Sequence, residues 1–140
     1  MSFLNSVPIE EIKVGMVAKY IQTITDSDIK SFAGMSGDRN PVHMDEVYAS
    51  ESRFKKRIAH GLMTASYFSA LFGTKIPGEG CVYVSQNLRF KRPVYIGDSV
   101  EAIVEVTDID ISKRRVYFKT YCKVGTKTVT DGEAEIYVPK

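Results

Sequence analysis

Between Gly61 and Thr74 the chain carries no charged residue. The run Gly-Leu-Met-Thr-Ala-Ser-Tyr-Phe-Ser-Ala-Leu-Phe-Gly-Thr is apolar, small or uncharged throughout. It is too short to span a bilayer, which takes about 20 residues in a helix. The pattern predicts a helix buried nearly all round in protein, with Ala and Ser where neighbours press close. Pro77-Gly78 ends it. Upstream, Met16 to Ile24 reads as a first strand. Thr25 and Asp28 then form a capping-box-like start to a helix carrying Ile29, Phe32 and Ala33 on one face. Gly37 is placed to stop that helix, and Asp45 to cap a short one through Ser50. After Pro77-Gly78 everything reads as strands. From Arg115 to Val124 one face takes Val116, Phe118, Thr120, Cys122 and Val124, and the other takes Tyr117, Lys119, Tyr121 and Lys123. Gly97-Asp98 and Gly125-Thr126-Lys127 supply turns.

One central apolar helix wrapped by a curved antiparallel sheet fits this order, an α+β arrangement. Such a helix must be covered on most sides, and a flat sheet covers only one. A strongly curved sheet or a second subunit resolves the conflict, so at least a dimer is expected. The 140 residues read as one domain over 1–140, large enough for a real core.

Composition changes this picture little. The chain is 44% hydrophobic and 26% charged, as an ordinary globular protein is. A net charge of +2 gives no reason to expect nucleic-acid binding, and no aromatic-plus-basic or zinc-finger spacing appears. Cys81 and Cys122 sit far apart in strand-like runs, which predicts buried reduced thiols rather than a disulfide or metal site. Glu10, Glu11 and Lys13 interrupt any signal-like start, and no segment reaches transmembrane length. A cytoplasmic protein without membrane, metal or nucleic-acid partner is the expectation. Arg53-Phe54-Lys55-Lys56-Arg57 reads as a solvated basic connector.

Candidate chemistry sits in Ser36-Gly37-Asp38-Arg39-Asn40-Pro41-Val42-His43. On a continuous helix, Asp38 and His43 would stand about 140° apart. Pro41 argues against that helix by biasing Asn40 to an extended conformation and lacking an N–H. A pinned turn can instead bring both side chains to one cleft wall. Two readings stay open on these residues: an acid–base pair, and a structural turn held by Asx hydrogen bonds. The second histidine, His60, precedes Gly61 at the expected start of the apolar helix, where free N–H groups and the dipole favour an anion. Glycine there lets a ligand carbonyl approach the backbone. Acid–base groups beside a fixed oxyanion site are what enolate stabilisation requires. His60 itself is equally read as a residue that orients the helix start.

The segment Gly37 to His43, followed by Ala49, closely resembles the signature of the (R)-specific enoyl-CoA hydratases, also called hydratase 2 or MaoC-like hydratases. The resemblance continues through Ala59-His60-Gly61-Leu62-Met63, Leu88 to Val94 and Gly97-Asp98, and covers the chain from about Gly15 onward. Met35 departs from it, where a smaller aliphatic residue is usual, with consequences expected for packing alone. The resemblance implies the hotdog fold, a homodimer or higher homo-oligomer, and reversible syn addition of water to a trans-2-enoyl thioester. It makes Asp38 and His43 the catalytic pair and the Gly61 N–H the oxyanion donor. Ser69, Asn40 and His60 become candidates for substrate binding. Ser69 also reads as a small packing residue, and Asn40 as a residue that fixes the turn. No cofactor is implied beyond coenzyme A as part of the substrate, and the sequence offers no ligand cluster suited to zinc or iron. Arg53, Lys55, Lys56 and Arg57, with Lys91 and Arg92, could meet coenzyme A phosphates or an acidic acyl carrier protein. A carrier-protein dehydratase and a non-catalytic acyl-binding subunit are the alternative functions.

Overall fold

The computed structural model describes residues 5–140. A 3-10 turn at Ile9–Glu11 precedes β1 (Val17–Thr23), α1 (Asp26–Ser36), α2 (Pro41–Met44), α3 (Glu46–Glu51) and α4 (Gly61–Thr74). The strands β2 (Val82–Gln86), β3 (Arg89–Phe90), β4 (Ser99–Asp110), β5 (Arg115–Val124) and β6 (Lys127–Tyr137) follow. Local signals set the helix ends. Thr25 Oγ1 accepts from the Asp28 N–H at 3.1 Å, while the Asp28 carboxylate accepts from the Thr25 N–H at 3.1 Å. Gly37 ends α1 with φ +82°, a left-handed conformation that glycine adopts without penalty. Asp45 caps α3 through the Tyr48 N–H.

The sheet is antiparallel, in the order β1-β4-β5-β6-β2, with β3 also paired to β6. It does not close into a barrel. Strand β6 serves both β2 and β3 because Gly132 lets the Asn87 carbonyl come directly onto its backbone, where any Cβ would collide. The Asn87 N–H donates to the Glu133 carbonyl at 3.0 Å, and the Asn87 side chain accepts from the Glu133 N–H at 3.1 Å.

Helix α4 lies against the inner face of this sheet, as the apolar run predicts and as the resemblance to a hotdog family implies. Its Met63, Phe68, Leu71 and Phe72 join Val100, Ala102, Val104 and Val106 of β4, Val116, Phe118 and Cys122 of β5, and Ala134 and Ile136 of β6. The alternation expected for β5 is observed: Val116, Phe118, Thr120 and Cys122 are buried, and their neighbours are not. The Phe72 and Phe118 rings meet at 4.7 Å, tying helix to sheet. Cys81 and Cys122 are free thiols, and burial pushes Cys122 up to about 12. No helix among the described residues is long and apolar enough to cross a membrane.

Two expectations need correction. Helix α4 is not covered on all sides within one chain: Leu62, Ser66, Ser69 and Ala70 are exposed along one stripe at helical spacing. The basic connector is not wholly solvated either. The Arg57 side chain is only 7% exposed, because it pairs with Asp26 at 2.7 Å and Glu46 at 3.6 Å beneath the small helices.

Truncating Phe72 to Ala removes the ring that joins α4 to β5. Urea unfolding should show a loss of about 3–5 kcal/mol with the slope m unchanged. A loss below about 1 kcal/mol would show that α4 does not depend on this contact.

Candidate active site

The turn that the sequence singles out is built by short-range hydrogen bonds. Ser36 Oγ accepts from the Asp38 N–H at 3.1 Å, and Asp38 Oδ1 accepts from the Asn40 N–H at 3.1 Å. Asn40 Oδ1 then accepts from the Val42 N–H at 3.2 Å and caps α2. Pro41 does break the continuous helix, yet it opens a new one. At the first helical position its missing N–H costs nothing, and its fixed φ suits the turn. This interruption places Asp38 and His43 on the same cleft wall, together with His60 and Gly61.

His43 is 9% exposed. Its Nδ1 lies 2.7 Å from the Ile58 carbonyl. A carbonyl oxygen only accepts, so this bond puts the proton on Nδ1 and leaves the neutral ring a lone pair at Nε2. Burial pushes the His43 pKa below the ordinary value, and nearby His60 adds to that. The Ile58 carbonyl and the Asp38 carboxylate act in the opposite sense without cancelling it. The arrangement therefore favours a neutral imidazole beside an exposed carboxylate.

His60, 1% exposed, is the N-cap of α4 but caps no N–H with its side chain. Its Nε2–H donates to the Asp38 carbonyl at 2.9 Å. The ring stacks on His43 with centroids 3.9 Å apart and planes 29° apart, and lies 4.8 Å from Phe32. Gly61 is the first residue of α4, and its N–H has no acceptor among the described residues. A Cβ there would meet the Phe90 ring at 2.6 Å, so any larger residue would push that ring aside. Free N–H groups at the start of a helix of about four turns present partial positive charge to the cleft.

The sequence showed no metal-ligand cluster, but folding brings ligand-type atoms of Asp38, His43 and His60 within 4.8 Å of one another. That cluster is poorly shaped for an ion. Imidazole lone pairs lie in the ring planes, and in two rings stacked this closely they run side by side instead of converging. One nitrogen of each ring is also committed to a carbonyl.

The cleft has a volume of ≈ 340 Å³. Phe54, Phe90, Pro93 and Val94 provide apolar walls, and Arg53, Lys91 and Arg92 stand among its lining residues. Lys91 pairs with Asp131 at 2.7 Å, and Arg53 lies over the Phe54 ring. Lys55 and Lys56 lie elsewhere, beside Tyr95 and Ile96. Ser69 is not brought to this cleft: it faces a separate depression between α4 and β2, with Leu62, Ser66, Tyr83 and Val84. Asn40 is likewise no part of the lining and acts as the helix cap. Phe90 and the Ile58 carbonyl were missed in the sequence. The Phe90 position depends on the β2–β3 break at Gly132, and a backbone acceptor has no sequence signature.

The chain matches the family model described as "MaoC like domain" over residues 9–132. It is 50% identical over 130 residues to an (R)-specific enoyl-CoA hydratase of Rhodospirillum rubrum, covering 93% of this chain and 90% of that protein. Over 131 residues it is 47% identical to a 3-hydroxybutyryl-CoA dehydratase of Methylorubrum extorquens, covering 94% and 83%. The solved structure of an R-hydratase from Pseudomonas aeruginosa superposes with a TM-score of 0.92 at 43% identity, covering 98% of this chain and 88% of that one.

Nitrogen-15 NMR of the two imidazoles should show His43 titrating below 6.5 with its neutral proton on Nδ1. Because folding lowers this pKa, the neutral ring is favoured in the folded state. Its stabilising contribution is fully present above the unfolded value of about 6.5 and is lost as pH falls through the folded value. A midpoint above 6.5 would contradict the burial argument.

Proposed function

The chain belongs to the MaoC-like domain family and is a hydro-lyase of it, and from that premise we propose that it is an (R)-specific enoyl-CoA hydratase with Asp38 and His43 as its catalytic pair. The observation that carries this reading is the single cleft joining the His43 imidazole, the Asp38 carboxylate and the start of α4 at Gly61. The thioester oxygen of a trans-2-enoyl-CoA binds the Gly61 N–H, which stabilises it increasingly as enolate charge develops. One water donates a hydrogen to His43 Nε2 and the other to the Asp38 carboxylate. Its oxygen attacks C3 as His43 takes the first proton, and the same proton passes to C2. One O–H bond breaks, C–O and C–H bonds form on one face, and both side chains regain their starting charge. No metal or redox group is required, because conjugation with the thioester already makes C3 electrophilic.

Arg53 and Arg92 supply cationic charge within the cleft lining, which suits the phosphates of coenzyme A. Two relatives whose names specify CoA substrates support that carrier over a protein one. The two free thiols suit a reducing compartment such as the cytoplasm. A second copy of the chain covers the exposed stripe of α4. Strand β2 ends the main strand order; its Val82, Tyr83 and Val84 are exposed, and Tyr83 and Val84 lie beside that stripe. Open apolar edges of this kind are buried by pairing.

Purified protein should remove the conjugated-enoyl absorbance of crotonyl-CoA without added cofactor. Asp38→Asn and His43→Gln should each lower kcat by about a hundredfold or more with the fold retained. Wild-type turnover by either variant would remove the pair from the mechanism. Crotonyl-CoA should also be used with higher kcat/KM than the carrier-protein thioester.

In light scattering the particle should have about twice the 15.7 kDa chain mass. Val84→Arg, beside the open stripe, should shift it towards monomer. A wild-type monomer would leave α4 uncovered in solution and end this part of the reading.

A further inference from the structure

We propose that Arg57 is a positioning residue for the hydration reaction, acting through the backbone of His43. This inference rests on the reading of His43 as the base. Arg57 Nε–H donates to the His43 carbonyl at 2.6 Å, in a buried position. The rest of the guanidinium is held by carboxylates on two other elements: Asp26 at the start of α1, 2.7 Å away, and Glu46 at the start of α3, 3.6 Å away. The next residue completes the link. The Ile58 N–H donates to the Val42 carbonyl at 3.2 Å, and the Ile58 carbonyl accepts from His43 Nδ1 at 2.7 Å.

Arg57 and Ile58 thus grip α2 by two carbonyls and one imidazole nitrogen. The main-chain position of His43 and the tautomer of its ring are fixed by the same two-residue segment. Helix α2 spans only Pro41–Met44 and cannot hold such a position by its own hydrogen bonds. A planar guanidinium suits this place because it serves a carbonyl and a carboxylate from separate edges at once, which an ammonium cannot do in the same geometry. Arg57 does not line the cleft. Its effect on the reaction passes entirely through His43.

The test compares wild type, Arg57→Gln and Arg57→Lys by crotonyl-CoA hydration and by nitrogen-15 NMR of the imidazoles. Only two histidines are present, and a His60→Asn variant assigns the signals. Both variants should lose at least about tenfold in kcat, with KM held within about twofold. In both, the His43 ring should change from one Nδ1–H tautomer to a mixture. The Lys variant keeps the charge opposite Asp26, so it should retain a melting temperature nearer wild type while still losing kcat. It is the variant to read if the Gln protein does not fold.

Wild-type kcat in the Lys variant overturns the proposal. So does a loss of kcat with the His43 tautomer unchanged, or a change of tautomer with kcat retained. A fall in melting temperature alone gives Arg57 a structural role and also overturns it. Absence of turnover by the wild-type protein would instead refute the hydratase reading, and the tautomer measurement would still test the Arg57 grip.

Discussion

Everything at the cleft depends on burying a charge-free helix against a sheet. With no charge along Gly61–Thr74, α4 gains by leaving water, and each of its large buried side chains contributes on the order of 2 kcal/mol. Phe72 against Phe118 illustrates the contact that holds its depth and rotation. Once α4 is seated, the place of its first residue is settled too. Gly61 then lines the cleft beside the Phe90 ring, and its N–H has no acceptor among the described residues. In the proposed mechanism a donor seated this way needs no reorganisation when charge develops, so the packing constraint there doubles as an electrostatic one.

The Asp38–His43 turn depends on that seat from the other side. Its own hydrogen bonds shape the loop, but they do not determine where it lies. The segment before α4 does that, because Ala59 binds the Val94 carbonyl at 2.7 Å while Ile58 and Arg57 hold α2. Burial then lowers the His43 pKa, which favours the neutral ring, and the Ile58 carbonyl selects the ring nitrogen that carries its proton. A neutral imidazole with a defined lone pair is the form a general base requires. Asp38 remains exposed at the same wall, so the two groups sit in different environments.

The open stripe of α4 separates two parts of the helix surface. One side builds the core and the other, with Leu62 and Ser69, meets the exposed edge strand β2. In the proposed dimer this second surface is covered by another copy, which removes the conflict between a wholly apolar helix and a one-sided sheet.

Much of this was legible in local sequence. The capping box at Thr25 and Asp28, the stop at Gly37, the cap at Asp45 and the alternation along β5 are decided within a few residues of chain, so one sequence suffices to read them. The order of Asp38, Pro41 and His43 likewise marked the turn, because proline constrains its immediate neighbours. Packing decided what local rules do not reach. Arg57 looked like a surface cation, yet it is buried between carboxylates from α1 and α3. His60 could be read either as orienting the helix start or as a substrate-binding candidate, and the fold stacks it on His43 and bonds it to the Asp38 carbonyl 22 residues away. Ser69 shares a helix with Gly61 but opens on a different depression. Composition and periodicity reveal which residues leave water and which backbone shapes are allowed. Which backbone carbonyl meets which side chain is set only when distant elements pack, since every carbonyl is chemically alike until the fold chooses its neighbour.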